Sequence, residues 1–203
     1  MAFGTFTESI FLTVDANFEF MESVAGTAIV LTLNPRETVS ILFNVDAAGT
    51  ADDLEIEILQ GHRISTGNGL DGATGAADIE LDTAADGFST DDDMNGLYII
   101  MTSGDESGEG RLIIDSVASD DGVVLSHDLS GTPSATETYD LYRFSPFRFT
   151  MDPQTTISSN AQNNDSITMN AVNGQFVAIV ARADGATDAH RIQLSHQVDG
   201  VSV

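Results

Sequence analysis

The chain contains no cysteine, no lysine and no tryptophan. Without cysteine there are no disulfides and no thiolate chemistry, and the redox compartment leaves no mark on the sequence. Without lysine the only permanent cations are seven arginines, set against 22 Asp and 10 Glu, for a net charge of −25 over 203 residues. Contacts to nucleic-acid phosphates need clustered Lys and Arg, so this balance argues against direct nucleic-acid binding. Anionic membrane surfaces repel the same charge. Long apolar runs are also missing: no segment approaches the ~20 residues of a membrane-spanning helix. The opening stretch, Met1-Ala2-Phe3-Gly4-Thr5-Phe6, lacks the basic start and apolar centre of a secretion signal, so synthesis without export is the expectation.

What is present is an ordinary apolar fraction, 41%, in a chain long enough for one large β-domain or two small ones. The excess of Asp fits a protein that works in concentrated salt. At ~1 M ionic strength the Debye length falls to about 3 Å, and repulsion among surface carboxylates largely vanishes.

The apolar period is two. Thr38–Val45, Leu54–Leu59, Asp78–Asp82, Gly96–Met101, Arg111–Ile114, Gly122–Leu125, Tyr139–Arg143, Ser166–Met169, Gln175–Arg182 and His190–His196 read as strands. Turn pairs separate them, among them Asn34-Pro35, Asn68-Gly69, Asp121-Gly122, Asn173-Gly174 and Asp184-Gly185. Residues 61–77, rich in Gly and Thr, read as a loop. No twelve-residue stretch keeps a helical period. The predicted fold is all-β: an antiparallel β-sandwich, Ig-like or jelly-roll-like, built from residues 1–84 and 144–203, with a small β-rich insertion over 85–143. In that insertion Gly104, Gly108 and Gly110 suit a hairpin that needs positive φ.

Each candidate site has a plain structural alternative. Asp91-x-Asp93-x-Asn95-Gly96 matches the opening of a Ca²⁺ loop, with Asp91, Asp93 and Asn95 as oxygen ligands. The twelfth position is Thr102 rather than a bidentate Glu, and an acidic loop before an Asn-Gly turn accounts for the run without metal. His62, His127, His190 and His196 are scattered, although His190 and His196 would share a strand face. No Gly-x-Ser-x-Gly elbow is present, no catalytic carboxylate pair stands out, and no cofactor motif occurs, so the expectation is a non-enzyme without cofactor. The arginines are scarce enough to matter: each is either paired inside the chain, as expected for Arg111 and Arg143, or kept for a partner. Phe3, Phe6, Phe11, Phe18 and Phe20 crowd the first twenty residues, as a buried strand pair or as an arm that docks on another subunit.

Two stretches resemble known proteins. Residues 91–143, with Asn95-Gly96-Leu97-Tyr98-Ile99-Ile100, Ser103-Gly104, Gly110-Arg111-Leu112-Ile113-Ile114 and Pro133-Ser134-Ala135-Thr136 before Tyr139, resemble a small β-module of tailed-phage head, fibre and tail proteins. Gly110 stands where that pattern usually has Gln. Residues 174–203, closing on Val198-Asp199-Gly200-Val201-Ser202-Val203, are similar to the C-terminus of small β-sandwich virion proteins of tailed viruses. The resemblance implies a virion structural protein. The specific expectation is a capsid decoration subunit, made in the host cytoplasm and bound to the major capsid protein on the capsid surface as a homo-oligomer, with a trimer favoured. A tail, fibre or spike component is the alternative within that class. A carbohydrate-binding β-sandwich is the alternative outside it.

Overall fold

The computed structural model describes residues 6–13, 19–20, 28, 30–34, 37–47, 53–147, 162–170, 176–184 and 189–200. The fold is all-β, and the described residues include one short helical turn. The chain forms two compact units: Met1–Ala25, Ile29–Gln60 and Pro146–Val203 make the first, Gly26–Ala28 and Gly61–Ser145 the second.

In chain order, the first unit holds β1 (Phe6–Thr13), β2 (Glu19–Phe20), β3 (Val30–Thr32) and β4 (Glu37–Ala47). Strand β5 (Asp53–Gly69) then carries the chain into the second unit. That unit contains β6 (Gly72–Ala73), β7 (Asp78–Glu80), helical turn α1 (Thr83–Asp86), β8 (Tyr98–Met101), β9 (Gly110–Val117) and β10 (Gly122–Leu125). Strand β11 (Thr138–Phe147) leads out, and β12 (Gln162–Asn170), β13 (Phe176–Asp184) and β14 (Ala189–Gly200) complete the first unit.

In the first unit a four-stranded sheet has the order β1-β14-β4-β12. Its register brings alternate apolar positions into line, with Ile10 opposite Ile192, Ile192 opposite Val45, and Ile167 opposite Ile41. This is the period-two pattern of the sequence expressed as cross-strand pairing. β14 is paired on both sides, so His190 and His196 lie on an interior strand. β13 pairs with β2 and β3, and Val177 to Ala181 are buried without alternation, as in a strand covered on both faces.

In the second unit the order is β11-β8-β9-β10-β7-β6. Leu70, Ile79, Leu81, Leu97, Ile99, Met101, Ile113, Val123, Leu125, Leu129, Tyr139 and Leu141 form one buried cluster. Each fully buried aliphatic side chain contributes roughly 1.5–3 kcal/mol. Leu70, Ile79 and Leu81 belong to the same core as the later strands, so the unit's main segment runs from Gly61 and not from residue 85, where the expected insertion opens. That also corrects the reading of 61–77 as loop. β5 continues to Gly69 because this segment pairs at the sheet, with Leu70 N–H donating to the Glu137 carbonyl at 2.9 Å and Thr136 N–H to the Leu70 carbonyl at 2.8 Å. Its glycines permit close approach: a Cβ at Gly61 would overlap the Arg143 carbonyl. Gly104 and Gly108 adopt positive φ, 86° and 99°, as the hairpin requires. Gly110 does not; it opens β9, and its carbonyl accepts the Arg111 guanidinium at 2.9 Å.

Candidate interaction surface

One surface groove of the second unit is held in place by polar side chains, Asp86, Ser116 and Asp121 among them buried. Asp82 caps α1 by accepting from the N–H groups of Ala84 at 2.8 Å and Ala85 at 3.1 Å. The Asp71 carboxylate accepts from the Thr83 N–H and hydroxyl. Those two bonds hold the Asp71 carboxyl below its ordinary range. At the end of α1, Asp86 Oδ2 accepts from the Tyr139 hydroxyl at 2.7 Å, Ser65 Oγ at 3.0 Å and Asn68 Nδ2 at 2.8 Å. Tyr139 accepts in turn from Asp82 N–H at 3.0 Å. Burial, followed by the Asp86 carboxylate it faces, pushes the Tyr139 phenol far up, so it remains a donor at all working pH. Gly87 continues the chain where a Cβ would overlap the Thr83 carbonyl, and Asp121 Oδ1 then accepts the Phe88 N–H at 3.1 Å. These bonds fix the path of residues 82–88.

A second anchor organises the acidic run. Ser116, fully buried, accepts from Met94 N–H at 3.1 Å and donates to Asn95 Oδ1 at 3.2 Å. Asp91 Oδ1 accepts from Ala118 N–H at 2.9 Å, and Asp92, at φ 70°, accepts from Asn95 Nδ2 at 2.7 Å. The Asn95 carboxamide bonds Ser116 and Asp92, Asp91 is tied to the Ala118 backbone and Asp93 is exposed. Among the described residues no group of three or more His, Asp or Glu is placed to hold a metal ion. The run is a turn stapled to β9 through Ser116.

Between these anchors lies an open groove of about 590 Å³. Ile64, Phe88, Met94 and Leu97 supply its apolar lining, and Asp93, Asp121 and Arg143 its charges. Arg143 departs from expectation. Arg111 is paired inside the unit, bonding Glu109 at 2.8 Å and the Asp128 carbonyl at 3.1 Å, and Arg63 meets Asp140 at 3.2 Å. Arg143 is exposed and forms no ion pair with a described residue. A smaller cavity of about 190 Å³, beside Asp78, Glu80, Asp120 and Val117, carries acids only. Sequence reading missed the apolar groove because Ile64 falls in the segment read as loop. Phe88 and Met94 stand singly among acids and glycines; isolated large apolar residues in a non-periodic polar stretch were the available signal.

Of the N-terminal phenylalanines, Phe20 is buried on β2. Phe6 and Phe11 lie on β1, paired along its length with β14, so this stretch is a strand of a sheet. The side chains of Phe6 and Phe11, and Phe3 and Phe18 entirely, fall outside the described residues.

No family model and no curated protein matches the chain. Among solved structures, VP17, a capsid protein of bacteriophage P23-77, aligns over 98% of this chain and 97% of its own at 10% identity, with a TM-score of 0.19. A score of that size does not establish a common fold.

Proposed function

We propose that the chain is a non-catalytic virion structural protein of a tailed virus, and specifically a capsid decoration subunit that binds the major capsid protein. The observation that carries this reading is how the second unit uses its residues. The ones through which it resembles the phage module do structural work: Asn95 and Gly96 close a turn, Gly104 and Gly108 shape a hairpin, and Arg111 buttresses the loop at Asp128. What remains at the surface is a shallow apolar groove with one exposed cation, a form suited to protein contact more than to small-molecule chemistry. A decoration protein acts through buried area repeated over many copies, so a modest contact per subunit suffices.

The tail, fibre or spike reading uses the same modules and differs in stoichiometry. The carbohydrate-binding reading has no Trp or well-exposed Tyr to build on: there is no Trp, Tyr139 and Tyr142 are buried, and Tyr98 is half-buried against Phe144. Quantitative mass spectrometry and cryo-electron microscopy of purified particles test the proposal. Hundreds of copies on the shell are expected. A few to tens of copies at one vertex would assign it to the tail or spike, and absence from particles would overturn the virion reading.

A further inference from the structure

Three large apolar side chains are well exposed among the described residues: Ile64 at 43%, Ile114 at 51% and Val117 at 40%. Ile64 lines the groove, whereas the other two lie on β9. The exposure of Ile114 has a specific cause. In a regular strand Ile113 and Asp115 would share a face, yet Ile113 and Ser116 are both buried while Ile114 and Asp115 are both exposed. The register with β10 explains it: Ile113 faces Leu125 and Asp115 faces the preceding residue, Val124, so Ile114 is the extra residue of a β-bulge. The bulge turns an apolar side chain and a carboxylate outward side by side. Asp115 Oδ1 accepts its neighbour's N–H, Ser116, at 2.9 Å, which holds the carboxylate in place.

The groove has the complementary chemistry: an apolar floor of Ile64, Phe88 and Met94 with the Arg143 guanidinium beside it. Complementarity selects the occupant, since the bulge offers an apolar side chain beside a carboxylate and the groove an apolar lining beside a cation. Two copies carrying −25 each repel, so a contact between them must place a scarce cation against an acid. We infer that the Ile114–Asp115 bulge of one copy seats in the groove of a second copy, Ile114 against Phe88 and Met94 and Asp115 against Arg143. The bulge and groove are different patches, so the contact is heterologous, and repeated from copy to copy it builds a ring or an open chain according to its rotation. Asp93 and Asp121 at the same groove carry the sign of Asp115, which makes Arg143 the residue that fixes orientation. This inference deepens the assembly part of the decoration reading and rests on that reading for the expectation of an oligomer.

The test is sedimentation velocity of the full chain over a concentration series in concentrated NaCl, with circular dichroism confirming that each variant is folded. Wild type is expected to self-associate. Arg143→Glu and Ile114→Asp should each weaken association by about 10- to 100-fold, the range for truncating a buried charged or apolar contact. Arg143→Glu combined with Asp115→Arg should regain most of it, a recovery that a merely structural role for either residue does not give. A wild type that stays monomeric throughout, an Arg143→Glu that associates normally, or a charge swap without recovery overturns the contact. Copy number in particles is read separately: abundant copies with a monomeric wild type would overturn this contact and leave the virion reading standing, and the opposite result would do the reverse.

Discussion

Asp86 and Glu106 are buried to nearly the same degree, 8% and 5% exposed, in the same unit, and they sit in opposite environments. Asp86 faces donors: Tyr139, Ser65 and Asn68 all bond one of its oxygens. Glu106 faces another acid. It lies beside Glu137, whose Oε2 is buried without a partner, and glycines stand where a Cβ would overlap either carboxyl: Gly131 at Glu106 and Gly104 at Glu137. Desolvation first, then the neighbouring Glu137 and Asp105, raise the Glu106 carboxyl above its ordinary value. The difference teaches that burial alone does not decide what an acid contributes to a fold. Supplied with donors it organises the structure; set against a like charge it favours the protonated form and costs stability when ionised.

The largest effect should come from breaking the supplied site. Asp86→Ala strands a phenol, a hydroxyl and a carboxamide that share one acceptor, and should destabilise the protein by about 3 kcal/mol, a loss per orphaned group of roughly 1–3 kcal/mol being partly relieved by relaxation. Denaturant unfolding measures it, and a loss below about 0.5 kcal/mol would show that the three donors find other partners. Tyr139→Phe removes one bond to Asp86 and the acceptor of Asp82 N–H while keeping the ring in the core, so about 1–2 kcal/mol is expected from the same measurement. Asp86 should then retain Ser65 and Asn68, and the double variant should fall well short of the sum of the two single losses.

Surface acids differ from both buried ones in answering to salt. Raising NaCl from ~0.1 M to ~3 M should lift the melting temperature by a few degrees, about 1 kcal/mol in a chain of this length, because screening removes repulsion among exposed carboxylates. A flat or falling melting curve would remove the concentrated-salt reading. The smallest effect, and the sharpest for the comparison, concerns Glu106→Gln. The folded state holds the Glu106 proton more tightly than the unfolded chain does. Below the unfolded value both states are protonated and no penalty exists; as pH rises through the carboxylate range and past the raised folded value, stability is lost. The Gln variant should therefore melt higher than wild type at neutral pH, and the two should converge in acid. The gap should also survive high salt, since a buried pair is screened far less than surface charges. Convergence at neutral pH, or a gap that widens in acid, would show that Glu106 has donors of its own.

The period-two alternation of Leu54–Leu59 and Tyr139–Arg143 made these segments legible as strands, because a sheet face is an intrinsic property of a chain that repeats every second residue. The charge of −25, the lack of lysine and cysteine, and the all-β class were likewise determined by the sequence alone. Local pattern failed where partners lie far away in the chain. Residues 61–69 have a loop's composition and are strand because backbone near Thr136 and Glu137 pairs alongside. Asp91, Asp93 and Asn95 have a metal loop's spacing and form a turn because Ser116 and Ala118 claim Asn95 and Asp91. Arg111 and Arg143 are equivalent in sequence, yet one meets Glu109 and Asp128 while the other reaches the surface beside Ile64 and Phe88. Even the exposure of Ile114 came from a one-residue slip against β10. Backbone periodicity needs only near neighbours, so the sequence carries it. The fate of each polar or exposed side chain depends on donors and acceptors dozens of residues away, and only the tertiary structure brings those into reach.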